Sequence, residues 1–376
     1  MTTTARDHAM MTRALRLAER GLASCQPNPR VGAVLVQDDA IVGEGWHQRA
    51  GEAHAEVNAL AQAGAQARGA TAYVTLEPCA HQGRTGPCTE ALIAAAVKRV
   101  VVAVEDPDPR TNGQGIARLR AAGIEVETGL LRNEARELNR GFFSRIERAR
   151  PWLRIKLAMS LDGRTALANG QSKWISGNAA RADVQHWRAR SSAILTGSGT
   201  VLADNPHLTV RPSVPVSPDV PADPATAVPF APWRVVLDTG LATPASAHVL
   251  DGSAPTLLLH APDARRAAHF AKVECAPIAV TRGRLDLAAA LALLAARDCN
   301  EVQVEAGATL AGECLASGLA DELLLYVAPV LLGDEARPLL SLPPLTEMAA
   351  RWKLRLVDQR MVGADWRLLL RPQAGG

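Results

Sequence analysis

Apolar runs of strand length alternate with segments of helical spacing along this chain, and the alternation restarts after Ala149–Pro151. Val31–Val36, with the sequence VGAVLV, is typical of a buried strand, and the acidic pair Asp38–Asp39 after it marks a hairpin turn. Alternating elements predict an α/β fold with helices on both faces of a sheet. Because the pattern restarts at a proline and the chain has 376 residues, we predict two domains, 1–149 and 150–376.

The first domain begins with a predicted helix, Asp7–Gly21, in which Met10, Ala14 and Leu17 share one face. Its further helices are predicted at His54–Ala63, Thr89–Val97 and Ile116–Ala122, and its further strands at Ile41–Glu44, Ala72–Leu76, Arg99–Val104 and Glu125–Thr128. In the second domain a strand begins at Trp152, a helix is predicted at Ala179–Arg190, and strands are predicted at Ala193–Thr196, Arg234–Asp238, Thr256–His260, Glu301–Glu305 and Glu322–Pro329. The proline-rich segment Arg211–Trp233 predicts a long surface loop.

Charge and hydropathy exclude several classes of partner. The net charge is +3, which gives no electrostatic case for nucleic acid. The amino terminus lacks the apolar core of a signal peptide. The longest apolar stretches, Leu285–Ala296 and Leu323–Leu332, fall short of the roughly 20 residues of a membrane helix. We therefore expect a cytoplasmic protein that binds neither membrane nor nucleic acid.

Four residues in the first domain have the types and spacing of a catalytic zinc site. His54, Cys79 and Cys88 supply one imidazole and two thiolates, which leave a zinc ion formally neutral with a fourth position open for water. Glu56 lies two residues after His54 at a predicted helix start, where it can exchange a proton with that water. Cys88 precedes a predicted helix, whose dipole favours a thiolate. The alternative is a closed structural site with His81 as fourth ligand, which leaves Glu56 unexplained.

The H-x-E and P-C combination resembles the zinc nucleobase deaminases. The insert between the cysteines, AHQGRTGP, is longer than is usual there. Together with QPNPRVGAV at Gln26–Val34, GEGWHQRAGEAHAEVNAL at Gly43–Leu60 and TAYVTLEPCAHQGRTGPC at Thr71–Cys88, it resembles the deaminase half of bifunctional riboflavin-biosynthesis proteins. This resemblance implies a cytidine-deaminase-like three-layer α/β/α domain. It also implies the substrate, 2,5-diamino-6-ribosylamino-4(3H)-pyrimidinone 5′-phosphate.

The same resemblance suggests pocket residues beyond the metal ligands. It implies that Asn28 hydrogen-bonds the substrate, although an asparagine before proline is also an ordinary turn residue. His47, His81 and Arg84 are either pocket residues or surface polar residues.

The second domain carries a glycine-containing loop, VEAGATLAG at Val304–Gly312, after an apolar strand and before a predicted helix. Such a loop exposes backbone N–H groups that bind phosphate, but many α/β proteins use the same turn for packing alone. It also lacks the usual G-x-G-x-x-G dinucleotide fingerprint.

Four segments of the second domain resemble the reductase half of the same bifunctional family: KLAMSLDGRTA at Lys156–Ala166, SKWISG at Ser172–Gly177, AILTGSGTVLADNPHLTVR at Ala193–Arg211, and VEAGATLAG. That half has a dihydrofolate-reductase-like fold and uses NADPH. The resemblance implies cofactor contacts at Ala158, Trp174, Thr200, Asp204, Gly307, Ala308, Thr309, Leu310, Ala311, Gly312 and Glu313. It implies substrate contacts at Ser172, Arg188, Leu208, Arg211 and Glu305.

The residue types fit a reductase of a phosphorylated sugar. The arginines can clamp a ribose phosphate, and Glu305 can orient sugar hydroxyls while NADPH reduces C1′ from ribosyl to ribityl. Lys156 and Asp162 are either site residues or an ordinary ion pair at a strand end.

Two other functions remain open on sequence alone. One is a single-function deaminase acting on cytidine, guanine or a tRNA base, and the other is a non-enzymatic module that keeps the fold. The choice between NADPH and NADH also stays open, while a homo-oligomer is expected for this family.

Overall fold

The computed structural model describes residues 4–82, 86–211 and 231–373. Arg84 and most of the predicted proline-rich loop lie outside these ranges. The chain divides into two compact units, Met1–Ala149 and Arg150–Gly376. Within the described ranges, no helix is long and apolar enough to cross a membrane.

The first unit contains one mixed sheet. Its helices are α1 (Ala5–Glu19), α2 (Ala55–Ala63), α3 (Cys88–Ala94), α4 (Gln114–Ala121), α5 (Arg132–Leu138) and α6 (Arg140–Arg148), and its strands are β1 (Gly32–Gln37), β2 (Ala40–Trp46), β3 (Thr71–Val74), β4 (Arg99–Val102) and β5 (Glu125–Thr128). Among the described residues the strand order is β2-β1-β3-β4-β5. β1 runs antiparallel to both of its neighbours, whereas β3, β4 and β5 are parallel.

Helices cover both faces of this sheet because successive side chains of a strand point to opposite faces. Ala33 and Leu35 of β1 pack in a core with residues of α2, α3 and α4. Val34 and Val36, on the other face, pack with residues of α1, α5 and α6. The predicted three layers are therefore present.

Helix α1 is fixed to the sheet through Asp7. Thr4 caps the helix, with its hydroxyl accepting from the Asp7 N–H at 3.1 Å and its own N–H donating to the Asp7 carboxylate at 2.8 Å. The Tyr73 hydroxyl and the Arg99 guanidinium donate to the same carboxylate. Burial disfavours the charge, but Arg99 and the other donors outweigh it and hold the pKa of Asp7 below its ordinary value. One buried carboxylate thus joins α1 to β3 and β4.

The second unit contains a larger sheet. Its helices are α7 (Asn178–Ala189), α8 (Ser198–Asp204), α9 (Leu287–Ala296) and α10 (Ala308–Ala316). Its strands are β6 (Trp152–Ser160), β7 (Arg164–Ala166), β8 (Ala193–Gly197), β9 (Trp233–Leu237), β10 (Thr256–His260), β11 (Glu274–Pro277), β12 (Val280–Thr281), β13 (Arg284–Leu285), β14 (Glu301–Val304), β15 (Glu322–Ala328), β16 (Arg337–Pro338), β17 (Leu354–Val362) and β18 (Asp365–Pro372).

In the part of the chain that the structure describes, the main sheet has the order β11-β10-β9-β8-β14-β6-β15-β18-β17. The strands from β11 to β15 are parallel, and β18 and β17 add an antiparallel edge. β14 enters the sheet late in the chain, between β8 and β6. The carboxyl ends of β8, β14 and β6 therefore lie side by side, which is where ligands of open parallel sheets bind.

The two faces of the central strands differ in chemistry. One face is apolar, with Ile155 and Val304 packed against Leu294 of α9 and Leu315 of α10. The opposite face packs against α7, where Trp187 lies over buried charged and polar side chains of β6, β14 and β15.

The predicted α/β class is confirmed in both units, and the predicted helices and strands are present with ends shifted by a few residues. The sequence prediction did not include α5 and α6 in the first unit or the antiparallel pair β17 and β18 in the second.

Candidate functional site

The structure brings together the three predicted metal ligands of the first unit. His54 is the residue immediately before α2, Cys79 lies in the loop after β3, and Cys88 is the first residue of α3. The His54 Nδ1 atom lies 3.2 Å from the Cys88 Sγ atom and 3.6 Å from the Cys79 Sγ atom. Among the described residues, this is the one such cluster of histidine, cysteine or carboxylate ligand atoms that could hold a metal ion.

The donor atoms of this cluster fit zinc. Tetrahedral zinc with N and S ligands spaces its donor atoms roughly 3.5 Å apart, and all three atoms lie within 4.8 Å of one another. His81 is not a member of the cluster, since its Nδ1 atom instead faces the Thr111 hydroxyl at 3.3 Å. Three protein ligands fit an open catalytic site better than a closed structural one.

Within the cluster the two sulfur atoms differ. The hydrogen bond with Cys88 lowers the pKa of Cys79 to about 4, and the same hydrogen bond raises the pKa of Cys88. The first N–H of α3 donates to the Cys79 Sγ atom at 3.3 Å. We expected the start of this helix to stabilise a thiolate at Cys88. In the structure, the first N–H of this helix points to the sulfur atom of Cys79.

Glu56 lies in the first turn of α2 and is only 3% exposed. Burial, with a contribution from the charge of Cys79, raises the pKa of Glu56 to about 7. A carboxyl group with that pKa can both accept and release a proton near neutral pH.

Asn28 and His47 form a polar pair beside the cluster. The His47 ring meets the His54 ring edge to face at 5.2 Å between ring centres. His47 Nδ1 faces the Ala53 carbonyl at 3.2 Å, so it must carry the proton, and Nε2 then accepts from the Asn28 amide at 3.0 Å. The Asn28 amide is therefore oriented, and its oxygen points away from His47.

Sequence reasoning missed two carboxyl groups next to the cluster, Glu77 and Asp106. Glu77 accepts several backbone N–H groups and is only 4% exposed. Burial raises the pKa of Asp106 to about 7, with smaller contributions from the charges of Glu77 and Cys79 among others. Glu77 was visible in the T-L-E-P-C motif, whereas nothing in the sequence singled out Asp106.

In the second unit, Lys156 from the middle of β6 and Arg188 of α7 lie beside Glu305, the residue after β14. Arg188 donates from Nε and Nη2 to the two carboxylate oxygens of Glu305, at 2.7 Å and 2.9 Å. The Gln303 amide donates to the same carboxylate at 2.9 Å. Burial disfavours the carboxylate, but the charge and hydrogen bonds of Arg188 outweigh burial and lower the pKa of Glu305 to about 2. Burial lowers the pKa of Lys156, and the charge of Glu305 opposes this effect.

The two predicted phosphate-binding arginines have different surroundings. The third nitrogen of Arg188, Nη1, donates to the Thr209 carbonyl at 2.8 Å, so all three of its nitrogen atoms already have acceptors. Arg211 is exposed, and its backbone N–H donates to the Gln185 side chain at 3.1 Å.

The glycine-containing loop lies beside this cluster. Gly307 is the residue immediately before α10, no side chain caps the helix, and a Cβ atom added at Gly307 would meet open space. The first N–H groups of α10 have no acceptors within the helix, so they can receive a phosphate. Ala311 is buried in the apolar core, and Gly312 packs against the backbone of Ser341. Gly307, Ala308, Thr309 and Leu310 form the start of this segment, and Glu313 is exposed and paired to Arg284 at 3.6 Å.

The remaining predicted contacts are spread over three segments. Ala158 lies on β6, two residues after Lys156, and Ser172 is half-buried in the segment before α7. Trp174 is exposed and stacks on Arg181 at 4.4 Å, while Thr200 and Asp204 lie on α8.

Leu208 and Asp162 make their contacts with other parts of the protein itself. Leu208 is 2% exposed within an apolar cluster, so its side chain offers almost no surface to a ligand. The Asp162 carboxylate accepts from the backbone N–H groups of Leu332 and Gly333 at 3.1 Å and 2.7 Å, which makes it an anchor for that loop.

Both units match known protein families. Residues 151–368 match the RibD C-terminal domain, and residues 4–104 match the cytidine and deoxycytidylate deaminase zinc-binding region. Riboflavin biosynthesis protein RibD of Escherichia coli is 47% identical to this chain over 360 residues, which cover 96% of this chain and 97% of that protein. The chain belongs to the RibD family. The family resemblance drawn from the sequence motifs is thereby confirmed.

Further members of the RibD family match over the same length. The protein of that name from Haemophilus influenzae is 44% identical over 376 residues, 98% of either chain. The structure of Acinetobacter baumannii RibD, form 1, has a TM-score of 0.89 and 45% identity, and covers 98% of this chain and 99% of that chain. A diaminohydroxyphosphoribosylaminopyrimidine deaminase/5-amino-6-(5-phosphoribosylamino)uracil reductase from Thermotoga maritima has a TM-score of 0.84 and 33% identity, with the same coverage.

As a RibD-family protein, this chain is a bifunctional deaminase and reductase of riboflavin biosynthesis that acts on small molecules. A single-function deaminase and a non-enzymatic module are therefore excluded.

Proposed function

We propose that the first unit hydrolyses the exocyclic amine of 2,5-diamino-6-ribosylamino-4(3H)-pyrimidinone 5′-phosphate, and that the second unit reduces the resulting 5-amino-6-(5-phosphoribosylamino)uracil with NADPH. The observation that carries the first step is the buried Glu56 beside a three-ligand cluster with an open position. The names of the activities in the Thermotoga maritima relative support the same pair of substrates.

In the deaminase, His54, Cys79 and Cys88 are proposed to hold zinc. When bound there, zinc supplies Lewis-acid activation of water at neutral pH. The Glu56 carboxylate takes a proton from the attacking water and delivers it to the amine that leaves as ammonia. Its pKa of about 7 suits both halves of this transfer. Asn28, oriented by His47, presents its amide oxygen to the pyrimidine.

Glu56→Gln is expected to keep about one zinc per chain and to lower the rate of ammonia release roughly a thousandfold, because the glutamine cannot carry the proton. Metal analysis and an ammonia assay on the purified enzyme measure both quantities. Glu52→Gln, at an exposed position two residues before His54, is the matched control and should behave as the wild type. Retention of most activity by Glu56→Gln would remove it from the proton transfer.

In the reductase, the backbone N–H groups from Gly307 to Leu310 are proposed to bind a phosphate of NADPH, with Ala158, Trp174, Thr200 and Asp204 as further contacts. NADPH, when bound, supplies the hydride. Glu305 orients the hydroxyls of the opened ribose near C1′, and Arg188 fixes Glu305 through its two hydrogen bonds. Lys156 holds a proton at Nζ beside them. Ser172, Leu208 and Arg211 complete the proposed substrate side, with Leu208 limited to its backbone.

Arg188→Ala and Arg211→Ala are expected to differ. Loss of Arg188 removes both charge-assisted hydrogen bonds that fix the Glu305 carboxylate, so kcat/KM for reduction should fall roughly a hundredfold or more. Loss of the exposed Arg211 removes one charge-assisted contact to the phosphate and should raise KM roughly tenfold with little change in kcat.

Reduction is followed through NADPH absorbance, with NADH run in parallel, and deamination is measured in the same preparations. Arg297→Ala, at a surface ion pair with Glu274, is the control for loss of an arginine. Equal effects of the Arg188 and Arg211 variants, or a parallel loss of deamination, would contradict these separate roles.

We propose that residues 1–149 form the deaminase domain and residues 150–376 the reductase domain. The proposed zinc ligands and Glu56 lie in the first unit, and the proposed reductase contacts lie in the second. A fragment of residues 1–149 should therefore release ammonia without NADPH, and a fragment of residues 150–376 should reduce the deaminated intermediate in the presence of EDTA. A folded second fragment that reduces only after the first is added back would overturn this assignment.

We also propose that the enzyme is a cytoplasmic homo-oligomer. Met361 of β17 and Trp366 of β18 are exposed and lie opposite each other, which supports an association surface on this edge of the sheet. Light scattering of the purified enzyme gives its mass, and a monomer at working concentration would contradict the oligomer.

A further inference from the structure

The buried carboxylate of Glu77 accepts hydrogen bonds from four backbone N–H groups. Its Oε2 atom accepts from Asp106 at 3.2 Å and Gly113 at 3.0 Å, and its Oε1 atom accepts from Gly115 at 2.9 Å and Ile116 at 3.2 Å. Hydrogen bonds to an ionised acceptor are stronger than those between neutral groups. Glu77 neither belongs to the metal cluster nor donates a proton in the proposed deamination, so these contacts call for a separate role.

The four donors belong to a single connection, the segment from Asp106 to Gly113 and the start of α4. Asp106 and Gly113 are the two ends of this segment, and Glu77 holds both with one oxygen atom. Its other oxygen caps α4, whose preceding residue is a glycine without a side chain to do so. One carboxylate therefore closes the segment at both ends and fixes it to the helix that follows.

The start of α4 also touches the loop that carries the ligand Cys79. A Cβ atom added at Gly115 would lie 2.0 Å from the Pro78 carbonyl oxygen, so only glycine permits this approach. The Glu77 N–H donates to the Val104 carbonyl at 2.9 Å, which fixes the same loop to the chain leaving β4.

The segment held in this way contacts His81, one of the candidate pocket residues. The Thr111 hydroxyl is 3.3 Å from His81 Nδ1, and His81 lies two residues after Cys79. Thr111 is buried, so its position depends on the segment that carries it.

We propose that Glu77 is a positioning residue for deamination: it clamps residues 106–113 beside Cys79 and His81, and so shapes the substrate pocket without binding the metal or moving a proton. This role rests on the proposed deaminase function of the first unit. Loss of the clamp should weaken substrate binding more than turnover, because the zinc ligands and Glu56 belong to other segments.

The test compares Glu77→Gln with Glu90→Gln in the full-length enzyme. Glutamine keeps the size of Glu77 but replaces one of its two oxygens by an NH2 group, which cannot accept a pair of N–H donors. Glu90 of α3 forms an exposed ion pair with Arg118 of α4, so its variant is a matched control for a change between neighbouring elements. In Glu77→Gln we expect faster hydrogen exchange at the amides of residues 106, 113, 115 and 116, by roughly tenfold or more. Zinc should stay at about one per chain.

In the same variant, KM for the deaminase substrate should rise roughly tenfold, with kcat changed far less, and the reductase activity should be unchanged. Glu77→Asp keeps two acceptor oxygens on a shorter side chain that cannot reach all four N–H groups, and it should give the same pattern, which keeps the test valid if Glu77→Gln folds poorly.

Unchanged exchange at these amides, loss of zinc, a fall in kcat at constant KM, or equal effects in Glu90→Gln would each overturn the proposal. Failure of the wild type to deaminate the substrate would instead contradict the proposed function, and the exchange and zinc measurements would still decide whether Glu77 clamps the segment.

Discussion

The reductase site of the second unit depends on one constraint: charged side chains that are buried on one face of the sheet need partners of opposite charge. At the amino ends of the strands, Arg154 donates to Glu301 and Glu322, and all three side chains are fully buried. Breaking such a pair typically costs about 3–5 kcal/mol, because a charge is left without its partner. Residues two apart on a strand share a face, so Lys156 and Glu305 continue this polar face towards the carboxyl ends. Gln303, next to Arg154 in the register of β14 and β6, donates to Glu305 and links the structural ion pairs to the functional ones.

In the first unit, the buried groups that need polar partners are thiols, an imidazole and carboxyl groups. There the Cys79 sulfur atom lies beside the His54 imidazole and accepts from the first N–H of α3. Glu56 is buried beside these groups, and burial raises its pKa to about 7. Glu77 lies two residues before Cys79, yet it is surrounded by backbone N–H donors. Glu56 and Glu77, each two residues from a different proposed metal ligand, are thus given different chemistry by their surroundings.

Much of this could be predicted from the sequence, because strong local patterns determined it. Strand-length apolar runs predicted both α/β units, and the motif spacing predicted the approach of His54, Cys79 and Cys88. The β17 and β18 pair was missed, because charged residues interrupt its pattern and most of the edge strand β17 is exposed. The ion pair between Arg188 and Glu305 could not be predicted, since it joins residues 117 positions apart in sequence. From its residue type alone, Arg188 was expected to bind phosphate. Its contact with Glu305 depends on how α7 packs on β14.

The reductase cluster contains two cationic side chains and one carboxylate, those of Lys156, Arg188 and Glu305. Arg188 and Glu305 form a bidentate pair that is nearly neutral, so Lys156 carries the remaining positive charge of the three. Its ammonium lies 6.0 Å from the centre of the Tyr326 ring, and the Tyr326 hydroxyl donates to Asp183. Burial lowers the pKa of Lys156, the charge of Glu305 raises it, and the charge of Arg188 lowers it. Arg188 therefore acts on this lysine in two opposite ways: its own charge disfavours the ammonium, while its two hydrogen bonds hold in place the carboxylate that favours it.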